Sequence, residues 1–163
     1  MIGVESHAAP TRSGVRQYST FRVGTLLLGL DVADVQEVIR YQRMTPVPLS
    51  PPVVKGLLNL RGQIVTAVDL RTRLDREEGA IERPMNVVVL TSQGPVSLLV
   101  DQICDVLELG DDTFEPPPPS DEPALRDLVT GVHKLEGRVL HIIDAERATH
   151  VDSRTAARTT LGS

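Results

Sequence analysis

The chain reads as a mainly β protein made of two similar subdomains, on three observations. First, short apolar runs of strand length recur between glycines and prolines. Second, aromatic residues make up only 2% of the chain, with no Trp, two Tyr and two Phe, so the core must be built from Leu, Val and Ile. β-Branched residues of that kind favour sheet. Third, the chain resembles itself. A shift of 75 positions lays Gly131–Gly137 on Gly56–Gly62 and Val139–Asp144 on Ile64–Asp69, matching the glycines, Leu60 with Leu135, and the terminal aspartates. A shift of 70 matches Gly94, Leu98, Val100 and Asp101 with Gly24, Leu28, Leu30 and Asp31. Two adjacent matches in the same order point to a duplicated β unit.

Taken in order, residues 1–16 mix Gly, Ser, Ala, Pro and charge without periodicity and are expected to form a flexible tail, as are residues 151–163. The folded domain is expected at 17–150. Tyr18–Val23 and Thr25–Leu30 are the first two strands. Val32–Arg40 is the clearest helical segment, because Val32, Val35 and Ile39 share a face at helical spacing. Gly56–Arg71 reads as strand, tight turn at Asn59-Leu60-Arg61-Gly62, and a second strand that stops at Asp69. Leu70–Leu74 and Ala145–Ala148 are each a short helical turn after a strand. Met85–Leu90, Val96–Val100 and Val139–Ile143 are further strands. The Pro116–Pro119 run is excluded from helix and central strand, since four successive residues lack an N–H, and it reads as a stiff linker.

Length and charge narrow the function. At 163 residues the chain suits one domain or two small subdomains. Its 17 Lys and Arg are scattered among 22 acids, for a net charge of −5, which argues against a nucleic-acid surface. Cys104 is alone, so no intramolecular disulfide or cysteine-rich zinc site forms, and a reducing compartment is expected. No run approaches the roughly 18 apolar residues of a membrane span, and no signal-peptide core is found. The expected location is cytoplasmic, with any membrane association made through a partner.

The residues offer little for catalysis. Three apolar runs end in aspartate, at Asp69, Asp101 and Asp144. Without a phosphate loop or companion lysine they read as turn-capping groups and not as an acid–base pair. His7, His133, His141 and His150 lack ligand spacing, Cys104 reads as a small buried hydrophobe, and no serine sits in a G-x-S-x-G turn. No metal or cofactor is expected. The informative residue is Arg61, a guanidinium in a turn bordered by Leu57, Leu58, Leu60 and Ile64, where a carboxylate clamp is expected. Glu37 is the candidate partner.

The GLLNLRGQIV lead-in, its NLRG turn and the VDLR exit of Gly56–Arg71 resemble the signature of the chemotaxis coupling protein CheW family. The resemblance covers about Tyr18 to Arg147. It implies an all-β fold of two five-stranded SH3-like β-barrels around a shared hydrophobic core, with few short helices, and a non-enzymatic adaptor between chemoreceptors and the histidine kinase CheA. It further implies receptor contact at Val35, Glu37 and Arg61. Contact with the CheA regulatory domain is implied at Pro46, Val47, Pro48, Val53 and Lys55. Asn59, Leu60 and Gly62 take the role of structural turn residues. The implied partners are the cytoplasmic receptor tip and CheA, with receptor arrays on the inner face of the membrane as the location. Thr66 stands where the family often has proline, and the apolar helix that many members carry is missing after Ala148. A paralogue for another chemosensory or surface-motility system is the alternative within the family; a small ligand-binding β-barrel is the alternative outside it.

Overall fold

The structure, a computed structural model, describes residues 14–76 and 82–151. The expected tails lie outside these residues except at their inner ends, which differ from expectation. β1 (Val15–Val23) begins within the N-terminal tail segment. At the other end, Val151 packs against the core.

Two sheets account for the fold. β1 and β2 (Leu26–Asp31) form an antiparallel hairpin, and β2 runs parallel to β11 (Arg138–Ile143). With β8 (Gln102–Gly110), β10 (Val129–Leu135) and the two-residue β9 (Phe114–Glu115), the first sheet has the order β8-β1-β2-β11-β10-β9. The second sheet has five strands in the order β3-β6-β7-β5-β4. They are β3 (Val35–Ile39), β4 (Val54–Leu60), β5 (Gln63–Asp69), β6 (Met85–Thr91) and β7 (Gly94–Val100). Each sheet is therefore one barrel of five principal strands, the first extended by β9.

The internal repeat is visible in this topology. Hairpin β1–β2 corresponds to β6–β7, and hairpin β4–β5 to β10–β11; β5 joins β7 in parallel as β11 joins β2. The strand after each first hairpin crosses to the other sheet. β3 leaves β2 and pairs with β6, while β8 leaves β7 and pairs with β1. The barrels thus exchange strands.

This exchange explains why β2 and β7 are apolar on both faces. Leu28 and Leu98 face the core shared by the two sheets, with Phe21, Leu30, Val68, Val87 and Val100. Their neighbours Leu27 and Leu99 point the other way into two smaller clusters, one with Tyr18, Leu140 and Ile142, the other with Leu58, Val65 and Ala67. A strand covered on both faces carries a continuous apolar run.

The helix expected over Val32–Arg40 is corrected. A 3-10 turn, Val32–Asp34, is capped by the Asp31 carboxylate accepting from the Ala33 N–H, and the chain then extends as β3. Pairing with β6 gives Val35, Val38 and Ile39 ladder partners at Val89, Val87 and Asn86. Those β-branched side chains suit a pleated surface better than a helix. The two short helices after strands do form, as α1 (Leu70–Arg73) and α3 (Ala145–Thr149), each capped by a strand-end aspartate. Asp69 accepts from the Arg71 N–H and Asp144 from the Arg147 N–H. Asp101 differs from the capping role expected of it. It accepts from the Gly24 N–H in the β1–β2 turn and from the Arg71 guanidinium. A further helix, α2 (Pro123–Leu128), has Pro in its first turn and buries Leu125 and Leu128. Pro116–Pro119 lies outside helix and strand.

Candidate functional site

The β4–β5 turn is built by two residues. Arg61 and Gly62 have φ of 53° and 86°, the pair of positive values that a type I′ hairpin turn requires. Glycine takes that conformation freely, and an ordinary L residue does so at a cost. The Asn59 side-chain oxygen accepts from the Gly62 N–H at 2.9 Å, locking the turn. Arg61 is held in the less favourable half, and its side chain shows what that achieves.

The Arg61 guanidinium donates to both Glu37 carboxylate oxygens, each at 2.6 Å. Glu37 lies on β3 and Arg61 at the end of β4, the two edges of the five-stranded sheet. The bidentate pair therefore ties the edges together and closes the barrel across a gap that no β ladder bridges. A bulge between Val35 and Glu37 sets the orientation of this part of β3. Arg61 is exposed, with 74% of its side chain accessible, whereas Glu37 beneath it is 18% accessible. Hydrogen bonds from Arg61 hold the Glu37 carboxyl below the usual glutamate range, outweighing the opposing effect of burial.

Two residues expected on contact surfaces are corrected. Val35 and Val53 are each 9% exposed and belong to the shared core, so their side chains offer a partner almost no surface. Val35 precedes the bulge and points inward, and Val53 packs inward at the entrance to β4. The structure exposes other apolar groups on the strands that carry the ion pair: Ile64 on β5 and Val38 on β3. The sequence reading missed both as surface residues, because it placed Val38 on a helix and treated Ile64 only as a strand former.

The segment between β3 and β4 carries the other expected site. Pro46 and Pro48 are exposed and Val47 is half-buried. Thr45 and Leu57 exchange backbone hydrogen bonds of 2.9 and 2.8 Å, which seat the segment on β4. Lys55 is exposed and lies 3.9 Å from the Asp69 carboxylate. Leu60 is half-buried beside the turn. Among the described residues, no three His, Cys, Asp or Glu side chains gather as a metal centre would need, and no helix is long and apolar enough to cross a membrane.

The sequence profile of the CheW-like domain matches residues 17–152, most of the chain. The chain belongs to the CheW-like family. It is 31% identical over 133 residues to the chemotaxis protein CheW of Klebsiella aerogenes, covering 81% of this chain and 80% of that protein. With CheW of Rhizobium meliloti it shares 30% identity over 148 residues, 89% of this chain and 94% of the relative. The crystal structure of the scaffolding protein TtCheW from Thermoanaerobacter tengcongensis superposes with a TM-score of 0.75 at 27% identity, over 84% of this chain and 94% of that one. Relatives under other names also match: protein FrzA of Myxococcus xanthus is 28% identical over 123 residues, 75% of this chain and 76% of FrzA. The two SH3-like subdomains expected from the NLRG signature are the fold of this CheW-like chain.

Proposed function

We propose that this chain is a non-enzymatic adaptor that couples chemoreceptors to the histidine kinase CheA by holding both in fixed relative geometry. The observation that carries the reading is the Arg61–Glu37 pair. A bidentate ion pair on an exposed hairpin tip, with a non-glycine residue kept in left-handed backbone, presents a guanidinium in a set position at the edge of a barrel. On this reading Arg61 and Glu37 form the receptor-facing surface, with Ile64 beside them, and the Pro46–Lys55 segment faces the regulatory domain of the kinase. Membrane association is indirect, through receptors at the inner face. Each interface would be modest, roughly 800 Å² per partner. Assembly then depends on several weak contacts made together.

The test is a reconstituted kinase assay with receptor signalling fragments and CheA from the same genome, comparing wild type with Arg61→Ala and Glu37→Ala. Receptor-dependent control of the kinase that requires this chain, and that fails in either folded variant, is the expected result. A wild type that binds neither partner reduces the family membership to a shared fold. The similarity to FrzA supports a second reading, a paralogue serving another chemosensory or surface-motility system. Receptor and kinase pairs from each system in the genome, run side by side, separate the two.

A further inference from the structure

We propose that the mouth of the first barrel is a binding site for a small organic cation, an ammonium or guanidinium group on a short apolar stem. The topology builds the site. β2 and β11 run parallel and end at one rim, at Asp31 and Asp144, and there β1 begins and β8 finishes, bringing Arg16 and Asp111 beside them. A cavity of about 430 Å³ opens at this rim, of small-molecule size and in a common place for a ligand site. Four carboxylates line it, those of Asp31, Asp34, Asp111 and Asp144, against one guanidinium, that of Arg16. Arg16 donates to Asp111 at 3.2 Å and to Asp31 at 3.4 Å from a side chain that is 54% accessible, so water weakens both pairs. Asp34, at the exposed edge, makes no hydrogen bond or ion pair among the described residues. Desolvation by the wall beneath it, then the carboxylates of Asp31, Asp144 and Glu146, push its carboxyl above the usual aspartate range.

A ring of carboxylates alone is no more than a solvated rim, and two independent observations make this one a site. The first is Tyr18. Only 3% of it is exposed and it lines the cavity, yet its hydroxyl has no hydrogen-bond partner among the described residues. A buried phenol normally finds one. Burial pushes this phenol up, and the charges that act on it are Arg16, Asp111 and Asp31, all cavity residues, so the hydroxyl faces the cavity.

The second is the internal repeat, which shows what the sister barrel puts in the same place. At matching bulges, Val54 and Gly56 of β4 pair with Val68 and Ala67, as Val129 and Gly131 of β10 pair with Ile143 and Ile142. Lys55 stands in the first bulge, 3.9 Å from the Asp69 carboxylate. Its counterpart is Thr130, which lines the cavity and donates its hydroxyl to the Ile142 carbonyl. Asp144, the counterpart of Asp69, therefore has no ion pair among the described residues. Two positions beyond each aspartate the exchange recurs, with Arg71 in one barrel and Glu146 in the other. The first barrel lacks both cations that the second carries. The rest of the wall suits the stem of a ligand. Phe114 is 40% exposed and its ring is seated on Gly131, where an added Cβ would fall 2.1 Å from Cζ, and an aromatic ring beside carboxylates is favourable surroundings for an alkylammonium group. No three His, Cys, Asp or Glu side chains among the described residues gather as a metal ion needs, so the negative charge is spread around a space that an organic cation fills.

The experiment titrates the full chain with 1,4-diaminobutane at low ionic strength and follows amide and methyl NMR signals. 1,4-Butanediol is the uncharged control, and magnesium chloride supplies an inorganic dication of the same charge. Saturable shifts at Asp31, Asp34, Phe114 and Thr130 are expected with the diamine and none with the diol. Thr130→Lys restores the cation of the sister barrel and should weaken diamine binding at least about tenfold while melting no lower than wild type. Asp34→Asn breaks no hydrogen bond and should weaken it at least about threefold, which keeps the test decisive if Thr130→Lys folds poorly. The site is overturned by a wild type that shows no saturation by about 10 mM diamine. It is equally overturned by magnesium binding as tightly at the same residues, by shifts spread over acids across the surface, or by wild-type affinity in folded Thr130→Lys or Asp34→Asn.

Discussion

Arg61 combines two requirements that normally conflict, a left-handed backbone at a hairpin tip and a long side chain aimed back at a neighbouring strand. The ion pair to Glu37 reconciles them, because the turn's handedness sets the direction from which the guanidinium reaches the carboxylate. A titration at Glu37 reads the pair directly. The pair holds the folded-state carboxyl below its unfolded value, so its contribution to stability is present above the unfolded value and is lost as pH falls through the folded one. In Arg61→Ala that lowering disappears, and carboxyl-carbon NMR should show the Glu37 midpoint moving up towards or past the ordinary glutamate value. A midpoint unchanged by the substitution would mean that Arg61 does not hold Glu37 in solution. This contact was legible in the sequence because a guanidinium in an apolar turn needs a carboxylate, and Glu37 stood on the segment that reads as a helix.

At the scale of the element, the same residue was reached through a wrong structure. Val32, Val35 and Ile39 satisfy helical spacing, but so short a segment carries too few periods to separate a helix from a bulged strand. The sheet decided: β6 offered an open edge, and the bulge at Gln36 disturbed the alternation that would have marked β3. β8 and α2 went unread for similar reasons, the first because acids interrupt its apolar residues, the second because it is only 6 residues long. Val35 and Val53 were taken for surface residues because a family's contact segments do not reveal which side chains within them turn inward. Gly56 offers a test of the segment's seating. A Cβ there would lie 2.7 Å from the Thr45 carbonyl oxygen and 2.9 Å from the Met44 Cβ, closer than real Cβ atoms come. Because one neighbour is backbone, the whole Thr45 segment must move. Gly56→Ala is expected to cost about 1–3 kcal/mol in denaturant unfolding and to break the Thr45–Leu57 bridge. Faster amide exchange at Thr45 and Leu57 would report the loss; unchanged protection at both would show that the segment is seated by other contacts.

Across the whole molecule, the exchange of β3 and β8 means that neither barrel is complete without a strand leaving the other. The duplicated sequence foretold two similar halves but not this crossing, which depends on where the chain goes after each hairpin and not on what any strand contains. Two clasps reinforce it. Glu146 on α3 accepts from the N–H and hydroxyl of Ser92 in the β6–β7 turn. Arg71 on α1 donates two hydrogen bonds of 2.6 Å to Asp101, the residue between β7 and β8, and Asp101 in turn accepts from Gly24 in the other sheet. With side chains 10% and 12% accessible, the Arg71–Asp101 pair is shielded from water. Removing one member leaves a buried charge without its partner, so Arg71→Met should lower the unfolding free energy by about 3–5 kcal/mol. Replacing both groups would not restore it, since the Gly24 N–H would still lose its acceptor. Exchanged strands further require that the barrels unfold together. Denaturant unfolding followed by circular dichroism and by amide exchange should give one coincident transition for wild type and for Arg71→Met, at a lower midpoint and with the same slope in the variant. Two separated transitions in wild type would show that the crossing strands do not couple the barrels. Two in the variant alone would show that the coupling resides in the clasp.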